Sequence, residues 1–103
     1  MEQTPEFKIQ FSQKTADLIK KEIDSIPLKY QKPFNSTHEG YAVLLEEVRE
    51  IEHVVFFGEK EAKEMFSSVS RDNRAQSYHK QRLQEEAVQI AAMAIRIIEE
   101  LTY

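Results

Sequence analysis

Apolar residues return at helical spacing through most of the chain, and nowhere do they alternate long enough to suggest a strand. Phe7, Phe11, Leu18, Ile19, Ile23 and Ile26 form the first series, the recurrence of one helix face. Thr4 before Pro5 and Glu6 supplies its start: a capping oxygen, then a proline where no amide bond is lost. Pro27 marks its end, so the first helix is expected over about 5–26. The segment LKYQKPFN reads as a connector that Pro33 keeps extended. Ser36-Thr37-His38-Glu39 has the form of a capping box and opens a second helix over about 37–57. Tyr41, Leu44, Leu45, Val48, Ile51 and Val55 are its expected apolar stripe. Gly58 has the character of a terminator, after which Ala62, Met65 and Phe66 predict a short helix over about 59–68. A last helix is expected over about 72–101, with Leu83, Ala87, Ile90, Ala94, Ile97 and Leu101 as its inner stripe. The pattern predicts an all-α bundle.

Composition adds limits to that picture. A chain of 103 residues makes one domain, and two glycines with three prolines leave little turn chemistry for a β fold. Between positions 86 and 98 the only polar residues are Glu86, Gln89 and Arg96. A helix so apolar needs cover on most of its circumference, which a small bundle alone supplies poorly. The expected bundle is therefore completed by oligomerisation, in at least a dimer. The net charge of −4 argues against a general nucleic-acid binder, which needs clustered Lys and Arg. The absence of cysteine excludes a disulfide scaffold and a thiolate metal site, and it accords with a reducing cytoplasm. No signal pattern opens the chain, and the longest apolar stretch, 87–98, is too short to span a bilayer. A cytoplasmic protein without a membrane partner is expected.

The acids in LLEEVREIEHVV are the candidate chemistry. With about 100° of turn per residue, Glu47 and Glu50 share a flank of the second helix with Val43 and Val54. Glu46, Glu52, Arg49 and His53 turn toward solvent. Glu86 sits on the polar side of the last helix with Gln89 and Arg96, and Arg82 lies one turn earlier. Three carboxylates facing one another among apolar neighbours repel and lose hydration, so each would rather take a proton unless a cation compensates. Oxygen-only ligands suit a hard ion such as Mg²⁺ or Mn²⁺. Acids on a solvated helix face are the alternative, and spacing alone leaves both open. A carboxylate-bridged di-iron bundle is excluded: it wants two E-x-x-H motifs, and Glu86 is followed three residues on by Gln89.

The segments HEGYAVLLEEVREI and EEAVQIAAMAIRIIEEL resemble the MazG-like all-α nucleoside triphosphate pyrophosphohydrolases, most closely the short phage and prophage members. The resemblance covers roughly 38–55 and 82–101. It implies a helical bundle assembled as a homodimer or homotetramer, which hydrolyses an NTP or dNTP to the monophosphate and pyrophosphate. It also implies that Glu47, Glu50 and Glu86 hold Mg²⁺, with Glu46 as a further ligand or the group that orients the attacking water. Gln89 stands where the family has its last aspartate and would offer a neutral oxygen. Arg82 and Arg96 become candidates to balance the triphosphate, and His38 and Tyr41 to touch base or ribose. The segment between Glu50 and Glu86 is longer than usual for the family. The competing expectation is a catalytically inactive bundle of the same fold, serving interaction or regulation, with Gln89 as the mark of lost chemistry.

Overall fold

The computed structural model describes residues 10–26, 32–66 and 71–103, and every regular element among them is an α-helix. They are α1, Gln13–Asp24, α2, Thr37–Met65, and α3, Arg71–Leu101. An all-α fold is therefore what these sequence patterns produce.

Helix α1 begins later than the apolar pattern suggests. Ser12 stands in extended backbone, and its side chain accepts a hydrogen bond from the Thr15 amide at 3.1 Å. That cap satisfies one of the donors a helix start leaves free. Residues 10 and 11 precede it without helical structure, and Phe11 is 71% exposed rather than on a buried face. The expected start at Thr4, and Phe7, lie outside the described residues.

Helix α2 starts where expected. Ser36 accepts from the Glu39 amide at 3.1 Å, while the Glu39 carboxylate accepts from Asn35 Nδ2 at 2.9 Å. Its end differs: α2 runs through Gly58 to Met65, so the separate helix expected over 59–68 is instead its continuation as far as Met65; Ser67 and Ser68 lie outside the described residues. The reason is steric. Gly58 has no positive φ and ends nothing; it makes room for α3, because a Cβ there would lie 3.0 Å from His79 Nδ1. Gly40 does the same at the other end, where a Cβ would reach 2.9 Å from Leu101 Cδ1. These two contacts, 40 against 101 and 58 against 79, make α2 and α3 an antiparallel hairpin.

The buried seam follows these small residues. Gly40, Val54, Gly58 and Ala62 are buried on α2, and Ala75 and Ala92 are the alanines of α3 with essentially no exposure. The expected stripe through Val48 and Val55 is accordingly corrected: these residues are 38% and 56% exposed. Val54, one position earlier than Val55, takes the seam because it continues the line of glycines along which two backbones can approach. On the partner helix Ala87, Ile95 and Ile98 face out, so the apolar girdle of α3 is only partly covered. Helix α1 packs on α3. The radius of gyration, 17.6 Å, exceeds the roughly 13 Å of a compact chain of this length. Val54 is the largest side chain fully buried among the described residues. No helix among them is long and apolar enough to cross a membrane.

One polar anchor fixes the connector to this frame. Arg96 donates from Nε to Glu100 Oε2 at 2.7 Å and from Nη2 to the Lys32 carbonyl at 3.0 Å. Glu100 also accepts from the Phe34 amide at 2.8 Å, and the guanidinium carbon stands 4.1 Å from the centre of the buried Phe34 ring. Arg96 holds the Glu100 carboxyl below the usual carboxylate range, with the Phe34 amide helping and burial opposing.

Candidate metal centre

Seven residues separate Gly40 from Glu47 and Glu47 from Val54, so all three lie on nearly one line of α2. Gly40 and Val54 are in the seam, and Glu47 is therefore carried into it. Glu50 follows on the neighbouring edge. From α3 comes Glu86, and one oxygen from each of the three carboxylates lies within 4.8 Å of the others. Glu47 and Glu86 are half-buried, whereas Glu50 opens to solvent. The sequence pairing of these acids thus becomes a spatial cluster spanning two helices.

Its electrostatics are unbalanced. The Glu47 carboxyl is pushed up to about 7, chiefly by burial, then by the charge of Glu50 and a hydrogen bond with it, and by Glu86 and Glu22. Burial also pushes Glu86 up, with a hydrogen bond to Glu50 and its charge adding to this while Arg82 opposes it. Glu50 is thus the hub, bonded to the acid on either side. With its amide turned to suit its neighbours, Gln89 Nε2 donates to Glu47 Oε2 at 2.6 Å and to Glu86 Oε2 at 3.3 Å. In that orientation the amide nitrogen faces the acids, and the carbonyl oxygen would have to turn inward to serve as a ligand.

The donor set fits a hard divalent cation. It is all oxygen and carries three carboxylates, and one face is open for water or a ligand. Oxygens on Mg²⁺ stand about 3.0 Å apart when adjacent and about 4.2 Å when opposite, so the three oxygens, within 4.8 Å of one another, would draw together around an ion. Protons taken up at Glu47 and Glu86 are the cation's competitors.

The remaining candidates are scattered. Glu46 is exposed and stands outside the cluster. His38 and Tyr41 are exposed too; His38, nine residues before Glu47, falls on the opposite side of the helix at about 100° per residue. Arg96 lies seven residues beyond Gln89 and is committed to Glu100, Lys32 and Phe34. Arg82 does stay near, acting on Glu86 from one turn away. Two residues escaped the sequence reading. Glu22 of α1 adds charge beside Glu47, and Glu61, 21 positions before Arg82, accepts from its Nη1 at 3.4 Å. Neither has a spacing to the acidic motif that would have flagged it, since each arrives through tertiary packing.

Comparison of the chain with family models, with curated proteins and with solved structures returns no match.

Proposed function

We propose that this chain is a MazG-like, Mg²⁺-dependent nucleotide pyrophosphohydrolase of the short phage or prophage type, converting an NTP or dNTP to the monophosphate and pyrophosphate in the cytoplasm. The observation that carries the reading is the convergence of Glu47, Glu50 and Glu86 from two helices within 4.8 Å. Glu47, Glu50 and Glu86 would hold the cation, with Gln89 as a neutral oxygen donor after its amide turns. Bound there, Mg²⁺ or Mn²⁺ supplies charge neutralisation for the phosphates and a lowered pKa for water.

The chain's own groups do the rest. The carboxylates fix the site on one rigid hairpin, which favours in-line positioning over covalent help. Arg82 offers positive charge beside the site to a phosphate oxygen. Water adds to the α-phosphorus, and the bond from that phosphorus to the oxygen bridging toward the β-phosphorus breaks. Glu46 is retained as the group to orient that water when a second subunit covers the outer face of α2. Self-association belongs to the same proposal: Tyr41, Val48 and Val55, seven residues apart, leave an apolar strip exposed on α2 with Phe56 beside it. A homodimer or homotetramer would cover it.

The test is an assay of pyrophosphate release from each common NTP and dNTP with Mg²⁺ or Mn²⁺. Turnover that falls at least 100-fold in Glu50→Ala supports the proposal; no turnover with any substrate, or turnover indifferent to that substitution, refutes it. One observation favours the second reading, an inactive module of the same fold: with its amide turned, Gln89 would itself bridge two of the acids, at 2.6 and 3.3 Å. That reading expects no rise in melting temperature on adding Mg²⁺, whereas a site for the ion raises it.

A further inference from the structure

Beyond the acidic cluster, a second chain of polar contacts crosses the same hairpin. His53 Nε2 lies 2.5 Å from Glu61 Oε1, and the His53 ring packs on Phe57 with centroids 5.3 Å apart. The other oxygen of Glu61 accepts from Arg82 Nη1 at 3.4 Å. Both oxygens of a surface carboxylate are therefore committed, one to its own helix and one to α3. Arg82 itself is half-buried, with its side chain 26% exposed. It stands four residues before Glu86, the spacing at which Arg and Glu on a helix reach each other.

Left to itself, Arg82 would be drawn onto Glu86, already flanked by Glu50. A guanidinium seated there would occupy the oxygens a divalent cation needs, since both compete for the same negative charge. Glu61 pulls it the other way. We propose that Glu61, braced by His53, is a positioning residue that holds the Arg82 guanidinium back from the metal-binding carboxylates and presents it to a nucleotide phosphate. This rests on the pyrophosphohydrolase reading and assigns a division of labour within that site: carboxylates for the cation, Arg82 for the anion, and Glu61 to keep them apart. A planar guanidinium can give one edge to Glu61 and keep the other for phosphate, which a lysine ammonium cannot do.

The experiment measures Mn²⁺ affinity by calorimetry on the full chain, then KM and kcat with the best nucleotide. In Glu61→Gln the Mn²⁺ dissociation constant should rise at least threefold and KM at least fivefold, with kcat changing less than KM. Glu61→Asp should recover part of both. In the background of Arg82→Gln, adding Glu61→Gln should leave Mn²⁺ affinity unchanged, because the guanidinium it restrains is gone. Glu64→Gln, the same charge change at an exposed position of α2, should not alter Mn²⁺ affinity. Wild-type protein that binds Mn²⁺ and releases pyrophosphate, but whose Mn²⁺ affinity is indifferent to Glu61→Gln, overturns this inference alone. An equal loss with and without Arg82 overturns it too, since that is a bulk charge effect. Wild-type protein that binds no Mn²⁺ overturns the functional reading beneath it.

Discussion

Helix α3 carries two carboxylate constellations with opposite electrostatic character. Glu100 sits with Arg96, the Phe34 amide and the Lys32 carbonyl, and every charge has a partner within 3.2 Å. Its acidity is strengthened. Glu86 lies fourteen positions earlier, among Glu47 and Glu50, and its proton is held more tightly than usual, as is that of Glu47. Burial is the largest cause of the rise at Glu47 and Glu86, whereas at Glu100 it opposes and is outweighed by Arg96. The difference is that Glu100 is balanced by Arg96 inside the folded chain, whereas Glu47, Glu50 and Glu86 crowd one another with Arg82 as the basic group acting on Glu86. Imbalance of this kind is what a bound cation would relieve, whereas complete pairing makes a joint that needs nothing from outside the chain.

If that distinction is right, the joint should be the costlier one to damage. Arg96→Ala leaves Glu100 part-buried without its partner and strips the face of Phe34. Losses of this type run to about 2–3 kcal/mol, or roughly 10–15 °C of melting temperature for a chain this size. The contribution of the lowered Glu100 pKa is present at neutral pH and is lost as pH falls through that pKa, so the gap to wild type should narrow in acid. Thermal melts at pH 7 and pH 3 measure it. An Arg96→Ala chain as stable as wild type at pH 7 would erase the distinction between joint and site.

The same contrast sets the order of legibility. Ser36 announced the start of α2, because a capping side chain acts on amides three residues away. The acids at 47, 50 and 86 announced themselves by their neighbours' apolarity. What failed was the identity of the seam. Gly58 has two physical uses, ending a helix or admitting another, and only His79 on the facing helix decides between them. Val55 looked like core and Val54 like a flank, since a stripe of large apolar residues outweighs a line of glycines in any single-helix reading. Ser12 was hidden by a stronger cap signal at Thr4. Glu22 and Glu61 were out of reach in principle, as their roles exist only across helices.

Gln89 tests the unbalanced constellation from inside, with a smaller expected effect. Gln89→Asp removes the donors that face Glu47 and Glu86 and adds a fourth negative charge. The metal-free chain should lose about 1–2 kcal/mol at pH 8, while the Mg²⁺ dissociation constant should fall severalfold, because a charged oxygen replaces a neutral one. The two changes have opposite signs, so melts with and without 10 mM Mg²⁺ must cross or converge. A variant destabilised equally in both conditions would mean that no cation enters the cluster.

The gentlest probe is Glu47→Gln, and its direction is the informative part. The Glu47 carboxyl titrates near 7 in the folded chain and near 4.3 when unfolded. Between those values the folded state holds a proton that the unfolded state has released, so stability falls as pH rises and levels off above about 7. The group is part-exposed, and solvent screening reduces the effect to about 1 kcal/mol. The metal-free wild type should therefore melt about 5 °C lower at pH 8 than at pH 5 on account of this carboxyl. Glu47→Gln, with no charge to place there, should be the more stable protein at pH 8 and nearly equal at pH 5. Added Mg²⁺ should erase the advantage, since it stabilises the ionised carboxylate of the wild type and finds one ligand fewer in the variant. A substitution that stabilises a protein while removing its response to an ion belongs to a binding site and not to a joint. Wild-type stability that climbs from pH 5 to pH 8, with Glu47→Gln below it throughout, would place Glu47 in the same class as Glu100 and leave the cluster without its motive for holding a cation.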